Sequence, residues 1–160
     1  LQGVAFLFIP SLFRENRYSF AFACLGTLFM FPACIFFVGV ALTPGDIFFD
    51  AHIFTTTTAF NLYTVSIFFY VLAFISSSLS NYYTSGAILL LIAVSVYSYY
   101  LSGYQPIDAI KDRELYLEVY TMDLLIFNVV LQKVIISLMI ITIITFSFGL
   151  NKLINKKETR

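Results

Sequence analysis

Residues 51–107 read AHIFTTTTAFNLYTVSIFFYVLAFISSSLSNYYTSGAILLLIAVSVYSYYLSGYQPI and contain no Asp, Glu, Lys or Arg. A transmembrane helix needs about 20 mostly apolar residues to cross roughly 30 Å of hydrocarbon, so this run is long enough for two crossings. The polar cluster SSSLSN at residues 76–81 divides it. We therefore predict two transmembrane helices, over residues 53–75 and 84–101, joined by a tight loop.

Two further runs, one on each side of this segment, predict two more spans. Residues 18–45 contain no charged side chain, which predicts a span over residues 18–42. Residues 124–151 contain a single charged residue, Lys133, and we predict the last span over residues 129–150. A membrane β-barrel would need alternating segments of about 9–11 residues, which these continuous runs do not provide. The sequence predicts an all-α integral membrane protein with about four transmembrane helices in a single membrane domain.

The remaining segments are assigned by their charge. Residues 106–123 carry seven charged side chains and begin with a proline, which suits the first turn of a helix. We predict an interfacial or extramembrane helix there, between the third and fourth spans. Residues 151–160 form a basic tail. Residues 1–13 are apolar but short for a span, and are expected to be either an interfacial segment or the stub of a preceding helix.

The composition excludes most soluble proteins. The chain is 60% hydrophobic and 11% charged, with a mean hydropathy of +0.90, whereas a soluble domain is typically about 25% charged. The formal net charge is zero, which leaves no basic field for nucleic acid. We expect the lipid bilayer and other membrane subunits as partners, and no nucleic acid.

The positive charges predict the orientation. The two terminal segments together carry six Lys and Arg residues, whereas the loops on the opposite side carry only Lys111 and Arg113. Because cytoplasmic segments are enriched in Lys and Arg, both termini are predicted on the inner side, cytoplasmic or matrix-like, of a membrane that the sequence does not identify.

Three polar residues near the start of the last span are candidates for a functional site. Lys133 is the one charge inside an apparent span, and an intramembrane charge suggests a substrate or ion pathway. Its amine could instead extend to the headgroups from the boundary of a shorter span. Asn128 and Gln132 are four residues apart and share a helix face, where they could line a polar path or bond to neighbouring helices. Asp123 lies at the helix entrance, where a carboxylate is favoured.

The single histidine, His52, lies where the first loop enters the second span. It could ligate haem or relay protons, or it could belong to a solvated turn. Zinc would require three or four ligands, and neither a second His nor a nearby Cys is present in the sequence. Cys24 and Cys34 lie ten residues apart on one predicted helix, roughly 15 Å, too far for a disulfide.

No catalytic or metal-binding set is predicted, since acid–base catalysis lacks its usual residues. The leading hypothesis is a non-enzymatic accessory or scaffold subunit of a larger membrane assembly, because the spans are rich in aromatic residues and poor in charge. The alternative is a transporter or channel component with a polar path around Lys133, Asn128 and Gln132. A membrane-embedded enzyme or a haem subunit using His52 is the third hypothesis.

Overall fold

The computed structural model describes residues 6–77, 81–103, 114–115, 118 and 122–158. The fold is 89% helical, and no strand occurs in the part of the chain that the structure describes. The prediction of an all-helical protein is therefore confirmed.

In the described part of the chain, four long helices match the predicted number of spans. Each contains a stretch of at least 18 residues that is apolar enough to cross a membrane. A short 3₁₀ helix precedes them. The bounds are Ile9–Phe13 for the 3₁₀ helix, Arg17–Leu42 for α1, Phe49–Ile75 for α2, Asn81–Gly103 for α3 and Met122–Glu158 for α4.

Local chemistry explains where α1 and α2 begin. The Asn16 side chain accepts hydrogen bonds from the backbone N–H groups of Tyr18 (3.0 Å) and Ser19 (3.3 Å), so α1 has a side-chain cap. Helix α2 begins at Phe49, before the predicted residue 53, and Asp50 lies in its first turn. A carboxylate is favourable there because the helix dipole is positive at this end.

Helix α4 differs most from the prediction, because it extends beyond residues 129–150 at both ends. Met122 and Asp123, at its start, were predicted to end the interfacial helix over residues 106–123 and belong to α4 instead. The predicted bounds follow apolarity, which marks the hydrocarbon. A helix can continue through polar and charged residues, and residues 150–158 contain neither Pro nor Gly. Most of the basic tail is therefore part of α4.

The rest of the predicted interfacial helix lies largely outside the described residues. Within it, Glu114, Leu115 and Glu118 are helical. Glu114 and Glu118 are exposed.

The segment before α1 packs against the bundle. Pro10 lies in the first turn of the 3₁₀ helix, where its fixed backbone angle is accommodated. Ile9 and Phe13 are buried, and the ring of Phe13 lies 5.9 Å from that of Phe74 on α2. Residues 1–5 lie outside the described part of the chain.

Helices that follow one another in the chain make the most extensive contacts, above all α1 with α2. The Asn16 amide at the start of α1 donates to the carbonyl of Ser76 at the end of α2, at 2.5 Å. The ring of Tyr83, near the start of α3, lies against Gly149 on α4. We call this end of the bundle the terminal end, and the opposite end, with the α1–α2 turn, the loop end.

The core is aromatic. Tyr63, Tyr70 and Tyr97 are all almost completely buried, although tyrosine often lies at the headgroup level. The ring of Phe60 on α2 meets Tyr97 of α3 edge-on, with 4.6 Å between the ring centroids. This core places three phenolic hydroxyls within the apolar region, and two of them make the polar contacts described below.

Candidate functional site

A polar cluster joins α3 to α4 and contains two of the predicted residues. The Gln132 amide donates a hydrogen bond to the Tyr97 hydroxyl at 2.5 Å. Asn128, one turn earlier on α4, has a buried side-chain oxygen with no hydrogen-bond partner in the described part of the chain. We call Tyr97, Gln132 and Asn128 the tyrosine cluster. It can fix the register of α4 on α3, and it leaves one buried acceptor that a donor could satisfy.

The next residue on α3 connects the cluster to α2. The hydroxyls of Thr64 and Ser98 are 2.8 Å apart. Since Thr64 donates to the Phe60 carbonyl at 2.8 Å, Ser98 is the donor in this pair. Hydroxyl contacts of this kind hold membrane helices together without a charge. Polar contacts therefore link α2, α3 and α4 in sequence.

Lys133 lies apart from this cluster. It is exposed, as are Val130 and Ser137 on the same side of α4, whereas Ile135 is buried. Asn128 and Gln132 are half-buried and lie on the side that contacts α3. The structure therefore brings together two of the three residues of the predicted polar path and separates Lys133 from them.

His52 braces the α1–α2 turn at the loop end. Its Nδ1 lies 2.6 Å from the Thr43 carbonyl. A carbonyl oxygen can only accept, so Nδ1 carries the hydrogen in this contact. The imidazole also lies beside Gly45, where an added Cβ would be 3.5 Å from the ring. These contacts give His52 a structural role, and haem ligation by its second nitrogen stays a prediction.

The acidic candidates are at the surface. Asp123, at the start of α4, is exposed, and so are Asp46 and Asp50 near His52. Among the residues that the structure describes, no group of three or more His, Cys, Asp or Glu side chains could hold a metal ion. Cys24 and Cys34 are both free thiols.

The polar contact between α1 and α2 was missed by sequence reasoning. Ser66 is fully buried and donates to the Gly26 carbonyl at 2.7 Å. One turn later, the Tyr70 hydroxyl lies 2.8 Å from that of Thr27, which also contacts the Phe6 carbonyl at 3.1 Å. Two adjacent residues of α1 thus face two residues of α2 that are four apart. That spacing is visible in the sequence, but the pairing of the helices is not.

Among the described residues, α4 has the smallest share of buried residues of the four helices. Of the residues in its most apolar 18-residue stretch, only 6% are buried in the bundle, against 50% for α2 and 17% for α1. Its outward side chains are large, apolar and mostly β-branched, and Lys133 lies among them. The exposed set includes Val130, Val134, Ile136, Ile140, Ile141, Ile144 and Phe148.

Comparisons of the chain with protein-family models, curated proteins and solved structures found no match. Its function is therefore inferred from the helices and their contacts. The tyrosine cluster and the outward surface of α4 are the two features on which the proposals below are based.

Proposed function

We propose that this chain is a non-enzymatic subunit of a larger membrane assembly, and that the outward surface of α4 contacts a transmembrane helix of another subunit. The proposal rests on the contrast between α4 and α2. In their most apolar stretches, 6% of the residues of α4 are buried, against 50% of those of α2. Among the described residues, the exposed side chains of α4 are therefore available to a neighbouring helix.

The position of Lys133 favours contact with another protein over contact with lipid alone. A charge on the lipid-facing side of a span costs roughly 2.5–3.5 kcal/mol near the bilayer centre. A polar or acidic group on a neighbouring helix would offset this cost more directly than the headgroups. The β-branched residues around Lys133 lose little side-chain entropy on packing, because their χ1 angles are already restricted in a helix.

Photocrosslinking in the native membrane tests this proposal. A photoreactive residue at Ile140 or Ile144 of α4 is expected to crosslink to one and the same membrane protein, which also co-purifies with the unmodified chain in mild detergent. Leu28 and Ile35 of α1 are the matched controls, because they are equally exposed and apolar. If the α4 positions give only lipid adducts, as the α1 positions should, the proposal fails.

A transport component is the second candidate, and the buried acceptor of Asn128 favours it. An unpaired amide oxygen one helical turn from Gln132 could bind a hydrogen-bond donor on a polar solute. Reconstituted vesicles distinguish the two functions. Asn128→Leu should abolish a solute flux if the cluster lines a path, and should leave photocrosslinking from Ile144 unchanged.

We further propose that the terminal end faces the inner, cytoplasmic or matrix-like side. The six Lys and Arg residues of the terminal segments support this orientation through the positive-inside rule. A cysteine placed at the exposed Asp46 of the loop end should react with an impermeant maleimide added to intact cells or organelles. A cysteine at the exposed Arg14 should react only after permeabilisation, and the reverse pattern would invert the topology.

A further inference from the structure

The chain has no net charge, but the segments at its terminal end are rich in basic residues. Arg14 and Arg17 are exposed just before and at the first residue of α1. The last ten residues of the sequence add four basic side chains, and Glu15 and Glu158 are the acidic residues of the same segments. Because the start of α1 and the described end of α4 lie at one end of the bundle, Arg14, Arg17, Lys152 and Lys156 belong to segments that share that end.

Helix α4 carries its share of this charge beyond the apolar window. The uncharged stretch of α4 ends at Asn151, and the helix continues to Glu158, roughly 10 Å further. Lys152 and Lys156 are four residues apart in this extension and therefore lie on one helix face. The helix thus carries Lys152 and Lys156 past the uncharged stretch, to the depth where phosphate headgroups would lie.

An apolar cavity lies among the N-terminal segment, α2, α3 and α4, and most of the residues that line it belong to α2 and α3. Its volume is about 40 Å³, and almost all of its lining is apolar. Phe6 and Ile9 line it from the N-terminal segment, and Thr142 and Ile143 line it from α4. Water would find too few polar partners in such a space, whereas the end of a hydrocarbon chain would fit it.

We propose that the terminal end is a binding site for an anionic phospholipid, whose phosphate lies against the basic residues of both terminal segments and whose acyl chain ends in this cavity. Positive charge next to an apolar cleft matches the two chemical parts of such a lipid. A cluster of four to eight Lys and Arg residues beside a span is typical of anionic headgroup recognition. The site is independent of any partner subunit on the outward surface of α4.

Lipid titration of the purified full chain tests this site. In dodecyl maltoside, dioleoyl phosphatidylglycerol should bind at least tenfold more tightly than dioleoyl phosphatidylcholine, as measured by native mass spectrometry and by the rise in Tm. Each charge removed should weaken phosphatidylglycerol binding about fivefold. We therefore expect two double variants to bind phosphatidylglycerol more than tenfold more weakly, with phosphatidylcholine binding unchanged. One is Arg14→Gln with Arg17→Gln, and the other is Lys152→Gln with Lys156→Gln.

The control removes the same charge elsewhere. Lys111→Gln with Arg113→Gln changes the connection between α3 and α4 and should keep the phosphatidylglycerol preference. An equal loss in this control would show a response to net charge and would overturn the site. Raising the salt from 0.1 M to 1 M shortens the Debye length from about 10 Å to about 3 Å and should abolish the preference. A preference that persists in high salt would also contradict the proposal.

A separate variant tests the acyl-chain half. Ala87 lines the cavity and is buried on α3. Ala87→Val would fill part of the cavity. It should weaken the binding of both lipids by the same factor, without changing the preference between headgroups. If neither lipid responds, the chain does not end in this cavity and that half of the proposal is wrong.

Discussion

The helices of the α1–α2 pair and helix α4 are all apolar enough to span a membrane, but they are held in different ways. In the pair, a fully buried serine bonds to a backbone carbonyl, a tyrosine reaches a threonine, and stacked rings fill the rest. Helix α4 rests mainly on α3 and makes one side-chain hydrogen bond to it, from Gln132 to Tyr97, among the described residues. Among the described residues of its apolar stretch, only 6% are buried.

The difference indicates that the α1–α2 pair stabilises the fold, whereas α4 is available to contact other molecules. Water cannot drive helices together within hydrocarbon, so close packing and polar contacts determine which helices stay paired. These contacts are concentrated in the α1–α2 pair, and we infer that it is the stable unit of the fold. Substitutions there should unfold the chain, whereas substitutions on the outward side of α4 should change what it contacts.

The largest effect is expected at Gly26. A Cβ at this position would lie 3.1 Å from the ring of Tyr70, closer than ordinary packing, and the ring is enclosed. Gly26→Leu should therefore separate α1 from α2 and destabilise the fold by about 1–3 kcal/mol, as overpacking typically does. The measurement is the free energy of unfolding in mixed micelles titrated with dodecyl sulfate and followed by circular dichroism.

Gly86 on α3 provides the matched control. An added Cβ there would meet nothing within 4 Å. Gly86→Leu should leave the stability unchanged or raise it slightly, because a glycine in a helix costs roughly 0.5–1 kcal/mol relative to alanine. Equal destabilisation by the two variants would contradict the special role of the α1–α2 contact.

A smaller effect is expected at Asn16. Its side-chain oxygen caps α1, and its amide donates to the Ser76 carbonyl at the end of α2. Asn16→Ala should cost about 1 kcal/mol through the cap alone, with a further loss from the interhelical bond. Asn16→Asp keeps the capping oxygen and removes the amide donor, so it should recover part of the loss in the same unfolding assay. No recovery would place the whole effect on the contact with Ser76.

The sequence was sufficient for the architecture because the hydrocarbon thickness fixes how long an apolar run must be. It failed at the ends of α4, where the apolar run stops but the helix continues. It also could not identify which face of each helix turns inward. A span that is apolar all round carries no stripe of hydrophobicity to mark its buried side. The hydrogen bond from Ser66 to Gly26 could therefore not be predicted from the sequence.

The candidate site was predictable in part for the same reason. Asn128 and Gln132 are polar, so their four-residue spacing could be placed on one face, and Gln132 does bond to a neighbouring helix. Its partner Tyr97 could not be chosen among the 11 tyrosines of the chain. Tyrosine is expected at the headgroup level, and only packing against Phe60 shows why this one is buried.

The contact between α3 and α4 should contribute less than those of the α1–α2 pair. Double-mutant cycles on membrane-helix hydrogen bonds average about 0.6 kcal/mol. Tyr97→Phe, Gln132→Leu and the double variant should give a coupling free energy near that value. A coupling of zero would mean that the 2.5 Å contact does not stabilise α4 on α3. A coupling above about 2 kcal/mol would make α4 as firmly held as α1 and would remove the contrast between the two regions.

The smallest effect on stability is expected at Lys133, where the effect on assembly should be the greatest. Its side chain is exposed on the outward side of α4, so Lys133→Met should change the unfolding free energy of the isolated chain by less than about 0.5 kcal/mol. Association in the native membrane should fall, because the partner's polar or acidic group would lose its counterpart. Lys133→Arg keeps the charge and should retain association, as measured by co-purification and by crosslinking from Ile144. If Lys133→Met leaves association intact, the lysine extends to the headgroups, and the outward surface of α4 must act through its apolar residues alone.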